Sequence, residues 1–289
     1  MLPVEPVEPM EPDLPVQELE SMLPEFEYVP VTQDPVAIEN EMIDSNKFDL
    51  ANSSNQIRNV LDPQTIIGEQ FRLLRTRLNL MQKQNGMKTI LITSTIPQEG
   101  KSFTSCGLAG IMAQEPGKRI IVIDADMRKP GSGRDFGLSL MRADVGLAQV
   151  LQGKCEFRNA LLASTDPPFW FLPSGALPVN PSELLSAPSF ERLIKTAAES
   201  FDWVIVDSPP ILALSDATLM APMCNAVLLV VRANSTPVKL VTETIHRIGR
   251  DRICGVVLNR QKHFSSSRYY YQYYYGKSKP KKSEQPVQP

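Results

Sequence analysis

At 289 residues, with 42% hydrophobic side chains and a net charge of −2, the chain is long enough to bury a substantial core as one large α/β domain or two small ones. Residues 1–50 hold thirteen acidic side chains against Lys47 alone, which leaves ten more basic than acidic groups in the remainder. That excess favours anionic partners such as nucleotides, acidic lipids or nucleic acid, but no Lys/Arg block or aromatic-basic stripe marks a specific nucleic-acid reader, and no apolar run approaches the 18 or so residues of a membrane span.

The chain opens on an acidic arm with eight prolines in its first 35 residues; Pro3, Pro6, Pro9, Pro12 and Pro15 recur every third position, the repeat of polyproline II. Acidic residues between them leave too little apolar surface to offset the entropy of ordering. Residues 1–60 are therefore expected to be a disordered spacer or docking segment, ahead of a domain over 61–262. From 68 to 84, Phe71, Leu74, Leu78 and Met81 fall at helical spacing, with Glu69, Arg72, Arg75 and Arg77 largely off that stripe, which predicts an amphipathic helix. Strand-like runs follow at 89–94, 119–124, 169–172, 203–207, 226–231 and 253–258, with helices from 101, near 188–200 and near 237–249. Runs such as Ile120-Ile121-Val122-Ile123 and Val204-Ile205-Val206 are apolar throughout, as strands covered on both faces require. The fold class is therefore α/β, a mainly parallel central sheet with helices on both faces.

Cys106, Cys155, Cys224 and Cys254 are far apart, lack metal-ligand spacing and sit in or near apolar segments. They read as reduced thiols of a cytosolic protein, and no basic-plus-apolar leader is evident. The flexible tail, 263–289, holds six of the seven tyrosines: Tyr269, Tyr270, Tyr271, Tyr273, Tyr274 and Tyr275. Polar residues precede the cluster and a lysine-rich stretch with Lys277, Lys279, Lys281 and Lys282 follows it. Nothing nearby can bury the rings, so they are either exposed phosphate acceptors or a sticky low-complexity tail.

The chemistry concentrates at three strand ends. The first strand runs into Thr95-Ile96-Pro97-Gln98-Glu99-Gly100-Lys101-Ser102 and then a helix beginning with Phe103, nearly the Walker A pattern. Gly100 lets the backbone approach phosphate oxygens, Lys101 reaches the β and γ phosphates, Ser102 offers its hydroxyl to Mg²⁺, and the helix N-terminus adds its positive dipole end. Thr95 stands where the first glycine is usual. Two further strands end in carboxylates, one in Asp124 and Asp126 and one in Asp207. Ligands of open α/β sheets bind beyond such ends, and hydroxyl and carboxylate oxygens are the hard donors Mg²⁺ prefers; an Asp there can instead cap the following helix. The expected roles are Lys101 on the transferring phosphate, Ser102 and Asp207 on Mg²⁺ with Asp124 beside them, and Asp124 or Asp126 orienting and deprotonating an acceptor. Arg128 and Lys129 either stabilise charge or lie on a solvated surface, and Asn259 either faces adenine or forms a turn.

Together these segments resemble the bacterial tyrosine kinase family, P-loop NTPases of capsule and exopolysaccharide synthesis. The resemblance spans about residues 67–276. It rests on the 96–102 loop, on a second Walker-like motif over 122–130 (Val-Ile-Asp-Ala-Asp-Met-Arg-Lys-Pro), on Walker B over 204–210 (Val-Ile-Val-Asp-Ser-Pro-Pro) and on the tyrosine tail. Glu69, Arg72 and Arg75 match the Glu-x-x-Arg-x-x-Arg helix used for ring assembly, and Asn180-Pro181-Ser182-Glu183 matches a loop before a helix; alone, the first reads as an exposed helix face with local ion pairs and the second as an N-cap at Ser182. The resemblance implies ATP and Mg²⁺ as cofactors, phosphorylation of tail tyrosines between subunits of a ring-like homo-oligomer, a separate transmembrane chain-length-determinant activator, a matching phosphotyrosine phosphatase, and a cytoplasmic protein recruited to the inner face of the membrane. The acidic arm is closer to kinases of PEP-CTERM/exosortase-type loci. Two rivals share the fold: a MinD/ParA-like ATPase switch, whose loop carries a lysine where this chain has Ile96, and a catalytically silent scaffold of a polysaccharide export complex.

Overall fold

In the computed structural model, which describes residues 46–138 and 144–261, the apolar runs become the strands of one eight-stranded sheet. The strands are β1 (Lys47–Phe48), β2 (Thr89–Ser94), β3 (Ile120–Asp124), β4 (Leu162–Thr165), β5 (Pro168–Leu172), β6 (Trp203–Asp207), β7 (Ala226–Arg232) and β8 (Ile253–Asn259), in the order β1-β4-β5-β3-β6-β2-β7-β8. Every neighbouring pair is parallel except β4 and β5. The three strands with phosphate-site motifs, β3, β6 and β2, are adjacent in the middle, so their carboxyl ends share one rim.

Unbroken apolarity has a direct reading in the two cores. Alternate residues of a strand point to opposite faces, and Ile121, Ile123, Val204 and Val206 enter one core while Ile120, Val122, Trp203 and Ile205 enter the other. The first core is covered by α5 (Leu147–Leu151), α6 (Pro181–Ser186), α7 (Pro188–Ser200), α8 (Asp216–Met220) and the end of α9 (Val238–Ile248). The second is covered by α1 (Asn55–Leu61), α2 (Ile66–Asn85) and α3 (Lys101–Ala113), with α4 (Ser132–Asp135) beside them. Helix α2 starts where the Thr65 hydroxyl accepts the Gly68 N–H at 3.0 Å, and stops at Gly86, whose φ of 67° suits the left-handed turn that glycine adopts without steric cost. Its apolar stripe meets α3 through an edge-on Phe71–Phe103 contact, ring centroids 5.6 Å apart.

Two elements depart from expectation. Residues 46–60, assigned above to the disordered arm, are built into the domain: β1 pairs with β4, and Phe48, Leu50, Ile57 and Val60 are buried. Four apolar side chains in that segment bury enough surface to offset its ordering. Strand β4 also lacks a run of its own; it is four residues long and gains its place by antiparallel pairing with β5. The remaining arm, with its proline repeat, and the tyrosine tail lie outside the described residues. All four cysteines are free, with Cys106 and Cys224 buried.

Candidate functional site

Strand β2 delivers the loop 95–100 to the N-terminus of α3. The loop turns through two left-handed residues, Gln98 at φ 66° and Gly100 at φ 98°, and Gly100 leaves no room for a side chain, because a Cβ there would stand 2.0 Å from Asn259 Nδ2. Lys101 and Ser102 follow in the first turn of α3, where unpaired backbone N–H groups and the helix dipole favour an anion.

Opposite the loop, Asp124 and Asp207 are register partners at the ends of β3 and β6, 1% and 0% exposed. Each is held by nearby donors. Asp124 accepts the N–H groups of Asp126 and Ser132, both at 3.2 Å. Asp207 accepts the Ser132 hydroxyl at 2.7 Å, with Ser105 Oγ at 3.3 Å and the Ser102 hydroxyl also hydrogen-bonded to it. Asp126 takes Lys101 Nζ at 2.8 Å on one oxygen and the Lys129 N–H at 2.9 Å on the other. Loop, lysine and three carboxylates therefore lie together beyond the ends of β2, β3 and β6.

The electrostatics follow from packing carboxylates out of water. Burial, then the neighbouring Asp207 and Asp126, push the Asp124 carboxyl up to about 8. Burial also raises Asp207, against the opposing pull of Lys101, Ser102 and Ser132. Burial alone would lower Lys101, yet Asp207, Asp126 and Asp124 outweigh it and hold the ammonium above its ordinary value. A fourth carboxyl, Asp135 on α4, is pushed to about 6 by burial and Asp207. Ser102 Oγ with the oxygens of Asp124 and Asp207 is a donor set that suits Mg²⁺. Among the described residues no three His, Cys, Asp or Glu side chains form a metal cage, in keeping with an ion that usually takes one or two carboxylates and completes its shell with waters and phosphates.

Several expected residues have other partners. Glu99, 1% exposed, turns into the protein, where its carboxylate accepts the backbone N–H groups of Ile96 at 2.9 Å and Arg232 at 3.0 Å and the Thr236 hydroxyl. Asn259 donates to the Glu99 carbonyl at 2.8 Å, and Phe103 packs on Phe71. Ile96 is partly covered, while Pro97 and Gln98 are exposed at the loop's tip. Arg128 is exposed but not free: its Nε lies 2.7 Å from Asp216, and its Nη2 lies 2.7 Å from Ser182 Oγ, which itself donates to Asp216 at 2.6 Å. Ser182 is thus a bridging hydroxyl, not the N-cap; Asn180 holds that position. On α2, Arg72 pairs with Glu69 at 2.9 Å, whereas Arg75 turns inward to Glu115 at 3.1 Å and the Ile111 carbonyl at 2.8 Å. Ser105, Ser132 and Asp216 carried no motif, and nothing in their local sequence marks them.

The AAA domain family AAA_31 matches residues 87–252. The chain is 34% identical over 223 residues to the tyrosine-protein kinase YwqD of Bacillus subtilis, covering 75% of this chain and 92% of that protein. It is 35% identical over 211 residues to the putative tyrosine-protein kinase EpsB of Ralstonia solanacearum, covering 72% of this chain but spanning only 28% of that longer protein. The kinase domain of the Escherichia coli tyrosine kinase ETK superposes with a TM-score of 0.65 at 28% identity, covering 78% of this chain and 88% of that one. With its P-loop, paired strand-end carboxylates and parallel sheet, the chain belongs to the bacterial tyrosine-protein kinase family.

Proposed function

We propose that this kinase is an ATP-dependent autokinase whose acceptors are Tyr269, Tyr270, Tyr271, Tyr273, Tyr274 and Tyr275, modified between neighbouring subunits. The observation that carries the reading is the meeting of Lys101, Ser102, Asp124, Asp126 and Asp207 at one rim. Phosphoryl transfer needs chiefly positioning and charge neutralisation, and each residue has a part. The loop N–H groups and the start of α3 hold the phosphates. Lys101 exchanges Asp126 for the transferring phosphate. Ser102, Asp124 and Asp207 would hold Mg²⁺, which would screen the phosphate charge. Asp126 gains a free oxygen when Lys101 leaves it, so it is the group that orients the tyrosine hydroxyl and takes its proton. The γ-phosphoryl group passes to the phenolic oxygen and ADP leaves.

The tail's lysines draw it to a neighbour's acidic site, and each phosphotyrosine, adding about −1.5 to −2 charges, weakens that docking. Glu69, Arg72 and Arg75 on α2 serve the ring contact, for which Arg72 and Arg75 would exchange their partners within the chain, Glu69 and Glu115. The physiological role is control of exopolysaccharide or capsule synthesis, chain length or export, with a transmembrane activator that recruits the chain to the membrane and a phosphatase that resets it. Incubation with Mg-ATP followed by mass spectrometry is expected to place phosphate on several residues of 269–275, and Lys101→Met to abolish it. ATP hydrolysis without phosphotyrosine would instead favour a MinD-like switch. Light scattering should show the oligomer loosening on phosphorylation; an unchanged mass would refute the release step.

A further inference from the structure

We infer that Glu99 is the positioning residue of the phosphate loop, a buried carboxylate that ties the loop backbone to the end of β7 and so sets nucleotide affinity through loop geometry. The inference rests on the nucleotide site proposed above.

Three observations converge on it. First, Glu99 neighbours Gly100 and Lys101, where an anion aimed at the phosphates would repel them, yet its side chain is turned inward and 1% exposed. A buried carboxylate is costly unless donors face it. Here both oxygens are used: Oε2 accepts the Ile96 N–H at 2.9 Å, and Oε1 accepts the Arg232 N–H at 3.0 Å together with the Thr236 hydroxyl. Second, the partners lie on separate elements. Ile96 starts the loop, Arg232 ends β7, and Thr236 follows in the connection to α9. Asn259, ending β8, grips the same residue through its backbone carbonyl at 2.8 Å. The loop is thereby fastened on the side away from Asp124 and Asp207, which leaves Lys101 and Ser102 facing them. Third, the segment under tension is the one fastened: Gln98 holds a φ of 66°, a region that non-glycine residues enter at a cost and keep only when their surroundings over-determine it.

Glutamine is the discriminating substitution. Its amide oxygen can serve Arg232 and Thr236 from the Oε1 position, but its NH₂ then meets the Ile96 N–H donor to donor, so the loop-side bond is the one lost. ADP titrated calorimetrically into the full-length chain is expected to bind Glu99→Gln about tenfold more weakly than wild type, the equivalent of about 1.4 kcal/mol. Thr236→Val should weaken ADP in the same direction, Thr236→Ser should restore wild-type affinity, and Glu99→Gln with Thr236→Val should fall short of the product of the single effects because both act on one carboxylate. Should Glu99→Gln not fold, the Thr236 pair carries the test. Wild-type affinity in Glu99→Gln with only a lowered melting temperature would overturn the inference, as would equal affinities for the Thr236 valine and serine variants. A wild-type chain that fails to bind ADP would overturn the proposed function and this inference together.

Discussion

Asp216→Asn isolates the contact that fastens the 126–130 loop, and its cost can be worked from the geometry. The Asp216 side chain is 1% exposed and takes Arg128 Nε at 2.7 Å, Arg128 Nη2 at 3.2 Å and the Ser182 hydroxyl at 2.6 Å. Charge-assisted bonds of this kind contribute about 1.5–3 kcal/mol each when removed singly. Arg128 is 38% exposed and rehydrates when released, and asparagine keeps one acceptor, so the net loss discounts to about 2 kcal/mol. For a domain of this size that is a fall in melting temperature of about 4–8 °C, measurable by calorimetry. Burial pushes the Asp216 carboxyl up, but hydrogen bonds from Arg128 and Ser182 outweigh it and the net shift is downward from 3.8. Between the folded and unfolded pKa values the unfolded chain therefore binds more protons. The stabilisation is complete above the unfolded value and is lost as pH falls through the lower folded one. The gap between wild type and Asp216→Asn should accordingly be full at pH 7 and shrink as pH drops below the ordinary carboxylate value. Stability within about 0.5 kcal/mol of wild type at pH 7, or a gap that ignores pH, would refute the reasoning.

Three further outcomes are expected. The Thr95 hydroxyl is buried without a hydrogen-bond partner, so near-isosteric Thr95→Val should raise stability by about 1 kcal/mol, read from denaturant melts; a loss would show that the hydroxyl has a role. Deleting residues 1–45 should leave the melting transition in place, whereas deleting 1–60 removes Phe48, Leu50, Ile57 and Val60 from the core and should abolish cooperative unfolding; Phe48→Ala alone should cost about 3–5 kcal/mol. Gly100→Ala should eliminate ADP binding by calorimetry, and Asn259→Ala added to it should relieve the clash without restoring wild-type affinity, because φ of 98° still disfavours alanine.

What the sequence made readable divides along physical lines. Strands β2, β3, β5, β6, β7 and β8 were legible because each is apolar enough to be recognised without its neighbours. Strand β1, two residues long, and β4, four residues long, exist only through pairing, and pairing is not written in either segment. The loop, Lys101 and the three aspartates were legible because their chemistry is local: a motif between a strand and a helix, and carboxylates where strands end. Arg128 was harder, since its partner Asp216 lies 88 residues away and no spacing announces the pair. Glu99 and Asn259 show the same limit. Their place in the motif and at a strand end suggested contacts with nucleotide, whereas tertiary packing turns both upon the loop itself.

Strand β8 runs parallel to β7 and β7 to β2, so the main chain leaves Asn259 at the rim that carries the phosphate loop. Tyr269 follows ten residues later, a leash of at most about 33–36 Å even when fully stretched. In an assembly of the kind proposed above, each tail stays within that reach of a rim, so tether length rather than how much protein the cell makes would set the effective concentration of its tyrosines there. Saturation of the proposed autokinase by its tyrosine substrate would then be a property of architecture, with ATP and the proposed activator and phosphatase left as the quantities that govern its phosphorylation.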